Sequence, residues 1–173
     1  MFKWINKNFY KPAARQVNYI NGIFGENAVA SANELLVLYR ENYGVAEELI
    51  DFEEIACVVG FLVIHSLNRW QYETKLTDEQ VFQIGVGVCL KACYLNSTEV
   101  DVASKINQFT KRFGEYKLVW RRMQYTKSMS EMAELVSSYI VLDAKIDSTM
   151  QIDENIFSKA IDRMIVQISR YCD

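Results

Sequence analysis

A single histidine, four cysteines and two segregated runs of charge are the residues in this chain whose types could do chemistry. The imidazole of His65 could act as a general base or a metal ligand. At helical spacing its neighbours are Phe61 and Arg69, and no carboxylate lies one turn away to orient the ring. The expectation is therefore a partly exposed polar residue and not a catalytic base. Cys89 and Cys93 would present two sulfurs on one helical face, which Cys57 or His65 could extend toward a zinc set. Zinc motifs hold closely spaced cysteines in knuckles or turns and mostly need a second pair. Buried thiols here read as small core residues. Neither a metal nor a cofactor is expected. The phosphate-binding, dinucleotide-binding, serine-hydrolase and zinc-protease motifs are missing. A di-iron bundle needs two Glu-x-x-His pairs, which one histidine cannot supply. We expect no enzyme.

Charge is more informative. Between Glu26 and Glu54 there are eight acids and one arginine. Glu47, Glu48, Asp51, Glu53 and Glu54 form the densest part and are the first candidate interaction surface, suited to a basic protein partner. The converse segment, Lys105 to Lys127, offers Lys111, Arg112, Lys117, Arg121 and Arg122 as secondary candidates, against Glu115 alone. Its interleaved aromatics invite a reading as a nucleic-acid surface. Helical spacing counts against it, because Phe109, Phe113, Tyr116 and Trp120 fall on one seam that the core requires, while the cations spread over the remaining circumference. With a net charge of −3, nucleic acid is not expected. The two charged segments should attract one another, within the chain or across a homodimer.

The elements that position these residues read as helices. Half of the 173 residues are apolar, enough for a core, whereas one proline and seven glycines are too few for a fold of many tight turns. Val102, Ile106, Phe109, Phe113, Tyr116, Trp120 and Met123 alternate at four and three residues, a stripe about 100° wide on a helix. Gly114 lies opposite that stripe. Val45, Leu49, Phe52, Ala56, Val59, Val63, Ser66 and Trp70 repeat the alternation, after Val29, Ala32, Leu36, Tyr39 and Tyr43, which Gly44 ends. Ser128 to Glu131 reads as a capping box before Met132, Leu135, Val136, Tyr139, Ile140 and Ile146. Asp153 opens a last helix through Phe157, Ala160, Ile161, Met164, Ile165, Ile168 and Tyr171. Residues 81–89 alternate in places as a strand would, but Thr77-Asp78-Glu79-Gln80 is a capping box ahead of them and favours helix. Gly85, Cys89 and Cys93 make one ridge of small residues, Ala56 and Gly60 another, and the two helices should pair there.

The prediction is a single all-α domain over residues 1–173, an antiparallel, up-and-down, left-handed bundle of six to seven helices. Residues 1–11 form a short amphipathic helix, docked on the bundle or acting as an arm, with Phe2, Ile5 and Phe9 opposite the lysines. The N-terminus lacks the apolar run of a signal peptide. Ile55 to Ile64 is far shorter than the roughly 20 residues that span a bilayer. Four cysteines in a chain with a large core do not resemble a secreted disulfide scaffold, so a cytoplasmic protein is expected. The functional expectation is a non-catalytic protein-interaction module of the inhibitor, immunity or adaptor type. The alternative is a bundle that takes up an apolar ligand, or touches a membrane surface peripherally, through the aromatic seam and the first helix.

Overall fold

Thr77 and Gln80 begin one helix by the reciprocal bonds their types dictate: the Gln80 amide donates to Thr77 Oγ1 at 3.2 Å, and the Thr77 amide to Gln80 Oε1 at 2.9 Å. A computed structural model describes residues 30–69, 76–96, 101–142 and 152–169. The described residues form six helices. α1 covers residues 30–42 and closes in a π turn, Leu38–Asn42. The others are α2 (Phe52–Arg69), α3 (Asp78–Asn96), α4 (Val102–Thr126), α5 (Ser130–Ile140) and α6 (Glu154–Ser169). The class is all-α, as the periodicity predicts, and residues 81–89 are helical. Residues 1–11, together with Val29, Trp70, Ile146 and Tyr171, lie outside the described residues.

α2 is the central helix. Every residue from Ile55 to Ile64 is buried, as an apolar run with no polar face requires. Its partners along the α3 side are the small residues. A Cβ placed on Gly60 would lie 2.7 Å from the Gly85 carbonyl oxygen and 3.1 Å from the Cys89 Cβ. The two backbones touch, and α2–α3 is the most extensive helix pair. The contacts Gly60–Gly85 and Cys57–Cys89 make this pair antiparallel. α4 returns along both, with Phe61 against Phe113 and Tyr116, and Phe82 against Phe109 and Phe113. α1 and α6 run antiparallel, joined by Arg163 to Glu34 at 2.8 Å and Ser31 to Gln167 at 3.4 Å.

Local signals fail at two places. The 45–70 seam suggests one helix, but α2 starts only at Phe52, after a 3-10 turn, Glu47–Leu49. Residues 49–51 are drawn out by backbone pairing with the end of α5: Asp51 N–H donates to Ile140 O at 2.7 Å, and Leu142 N–H to Leu49 O at 2.9 Å. Asp51 then caps α2, its Oδ1 accepting from the amides of Glu53 at 2.9 Å and Glu54 at 3.3 Å. Before α5, the expected capping box does not form: the N-cap is Met129, which makes no side-chain bond. Ser128 accepts from the Ser130 amide, while Glu131 turns away to Arg122. The seam of α4 is buried at Phe109, Tyr116 and Trp120, but Val102 and Ile106 in its first turns are exposed.

The glycines give a paired test. Gly60→Ala must push apart a backbone and the Phe109 ring, which a Cβ would approach to 2.7 Å; a loss of about 1–3 kcal/mol is expected. Gly114 has nothing within 4 Å of a Cβ, so Gly114→Ala should stabilise by about 0.5–1 kcal/mol. Urea unfolding of both variants checks the contrast; equal effects would contradict the crossing.

Candidate functional site

Of the five acids in the first candidate surface, Glu54 is not at the surface. It is 3% exposed in the first turn of α2. A carboxylate there must be compensated, and α4 supplies the partners. Arg112 Nε donates to both carboxylate oxygens at 2.8 and 3.0 Å, and its Nη2 donates to Oε1 at 2.8 Å. The Gln108 side-chain amide adds a bond at 2.9 Å. Arg112 also reaches Glu115 at 3.2 Å, and its guanidinium lies 3.3 Å from the centre of the Tyr139 ring on α5. Burial works against the Arg112 charge, but the bonds to Glu54 outweigh it and hold its pKa above the ordinary range.

The neighbouring acids are also engaged. Glu53 is ion-paired with Lys105, and Glu47 with Arg40 at 3.0 Å. Asp51 is occupied as the α2 cap, and burial raises its pKa despite the two amides it accepts from. Glu48 is exposed. The two charged segments therefore meet within the chain, at Glu53–Lys105 and Glu54–Arg112.

The secondary candidates divide. Arg112 faces inward, and Arg122 pairs with Glu131 at 2.8 Å. Lys111, Lys117 and Arg121 are exposed and form no ion pair among the described residues. They share the outer face of α4 with Leu118 and Tyr125, which are 59% and 88% exposed. At 100° per residue, Lys117, Arg121, Tyr125, Leu118 and Lys111 cover about a third of the circumference.

Beside this face, α2 and α4 enclose an open cleft of about 250 Å³. α2 contributes Phe61, Ile64, His65 and Asn68; α4 contributes Phe113, Lys117, Trp120 and Arg121. His65 packs on Trp120 with ring centres 4.6 Å apart. Lys117 Nζ lies 5.5 Å from the Phe113 ring centre. Trp120 is buried, and its Nε1 has no hydrogen-bond partner among the described residues. The cleft thus has an aromatic floor and a cationic rim, chemistry complementary to an anion carried on an apolar group. The rest of the aromatic seam is packed by α2 and α3 side chains.

Sequence reasoning placed Phe113 and Trp120 in the core and did not connect them with His65 or Asn68. The signal available was the basic residues flanking one edge of the seam. Among the described residues, no group of three or more His, Cys, Asp or Glu is placed to hold a metal ion. None of the described helices is long and apolar enough to cross a membrane. No family model, curated protein or solved structure matches the chain.

The buried phenols make the fold sensitive to alkali. Burial pushes Tyr39 and Tyr116 far above the ordinary value of 10 and, with the Asp153 charge, Tyr43 up to about 12. The folded state then keeps protons that the unfolded chain releases. This contribution is complete below about pH 10 and disappears as pH rises through the folded values. Tyrosinate absorbance in an alkaline titration should include a cooperative step that coincides with loss of helix by circular dichroism. Ionisation of all tyrosines near pH 10 with the helices intact would contradict the burial.

Proposed function

We propose that this chain is a non-catalytic protein-interaction module, of the inhibitor, immunity or adaptor type, that binds an acidic segment of another protein. The binding surface is the outer face of α4 with the adjoining cleft. The observation that carries this reading is the sorting of charge: Glu54 is neutralised inside the fold and Glu53 is ion-paired at its edge, whereas Lys111, Lys117 and Arg121 are left on an exposed face beside apolar groups. The sequence alone favours a basic partner for the acidic run; with Glu47, Glu53 and Glu54 paired to cations of this chain, the larger group of unpaired charges is the basic one on α4, and its complementary partner has the opposite sign. Exposed Leu118 and Tyr125 supply apolar contact, and the cations supply steering and register.

A photo-crosslinking residue in place of Leu118 tests this in cells that express the protein natively. It should capture a partner through a peptide rich in Asp and Glu. Lys117→Glu with Arg121→Glu should abolish the cross-link while leaving the circular dichroism spectrum unchanged, since both residues are exposed. Capture that survives charge reversal, or capture through a basic peptide, would contradict the reading.

A further inference from the structure

We propose that Cys57 and Cys89 are a disulfide-forming pair, a modification site for peroxide-class oxidants that would tie α2 covalently to α3. The inference rests on the helix crossing and is independent of the α4 surface. Gly60 and Gly85 bring the two backbones into contact. Cys57 lies about one turn before Gly60 and Cys89 about one turn after Gly85, so in this antiparallel pair both thiols fall on the same side of the crossing. Their sulfurs are 3.9 Å apart. A disulfide requires about 2 Å between sulfurs and about 3.5–4.5 Å between Cβ atoms. Closing the remaining gap is the step the proposal requires, and the glycines have already removed the bulk that keeps other helix pairs further apart.

Cys93 is the third thiol of the cluster; it is in contact with Cys89 and near the Glu53–Lys105 pair. It is a poor partner for a disulfide with Cys89. Residues four apart on one helix have Cβ atoms about 5–6 Å apart, beyond the disulfide range, so that bond would require the helix to unwind. The pair across the helices is favoured over the pair within one.

The chemistry balances with hydrogen peroxide as oxidant. One thiol takes an oxygen atom to become a sulfenic acid, releasing water. The second sulfur attacks the sulfenic sulfur, the S–O bond breaks and a second water leaves. Two thiols are oxidised by two electrons in total, and the peroxide O–O bond is reduced. All three thiols are buried, so the reaction proceeds through local opening of the helix pair.

Peroxide treatment of the folded chain, followed by alkylation in denaturant and peptide mapping, tests the assignment. The chain has four cysteines. The expected result is loss of two free thiols, recovery of one peptide joined through Cys57 and Cys89, and reversal by a dithiol. The Cys93→Ser variant should still form the link, and Cys57→Ser should not. Four free thiols after treatment, oxygen added at Cys93 alone, or a link that uses Cys93 in place of Cys57 would overturn the proposal. The mapping of the parent chain decides the matter even if either variant fails to fold.

Discussion

The buried pair of Glu54 and Arg112 is the constraint around which the charges of this protein are arranged. A carboxylate 3% exposed in the first turn of the central helix would cost several kcal/mol if left alone. Three guanidinium contacts, one amide bond and an aromatic ring under the cation offset that cost. Such a pair adds little net stability compared with apolar residues of similar shape. The role we assign to it is specificity: these contacts tie Glu54 to one rotation and one register of α4 relative to α2, and Tyr139 of α5 meets the same point.

Fixing that rotation gives α4 two different faces. With Arg112 turned inward, Phe109, Tyr116 and Trp120 must also face the core, and Lys111, Lys117, Leu118, Arg121 and Tyr125 must face outward. The cleft follows from the same geometry. Near Glu54 the helices are drawn together by the ion pair, and further along the large rings of Phe61, Phe113 and Trp120 stand between them. The α2–α3 side is organised by the opposite device, the absence of side chains at Gly60 and Gly85.

Features set by neighbours in sequence were legible in the sequence. The Thr77–Gln80 box, the Asp153 cap, whose Oδ1 accepts from the amides of Asn155 and Ile156, and the left-handed Gly44 all depend on spacing within one turn; each small-residue ridge is likewise local, and the pairing of the two follows from their lack of bulk. Features set by distant residues were not. The delayed start of α2 depends on backbone bonds to residues 140–142, which compete with a helical pattern that is otherwise intact at Val45 and Leu49. Arg112 looks like any other cation in its segment, because the residue that turns it inward is 58 positions away. His65 and Trp120 each read correctly as a half-exposed polar residue and a seam aromatic; their contact depends on the relative rotation of two helices, which periodicity within either one does not contain.

The account therefore turns on the coupling between Glu54 and Arg112. A double-mutant cycle with Glu54→Gln, Arg112→Met and the pair together, measured by urea unfolding, isolates it. Each single change should be costly, because Arg112→Met leaves the buried Glu54 with the Gln108 amide alone and Glu54→Gln leaves Arg112 with only Glu115 and the Tyr139 ring, and the double variant should recover much of the loss. A coupling free energy of about 2 kcal/mol or more is predicted. A coupling near zero, with the two single effects simply adding, would mean that the pair does not set the rotation of α4 and would remove the physical basis for its outward basic face.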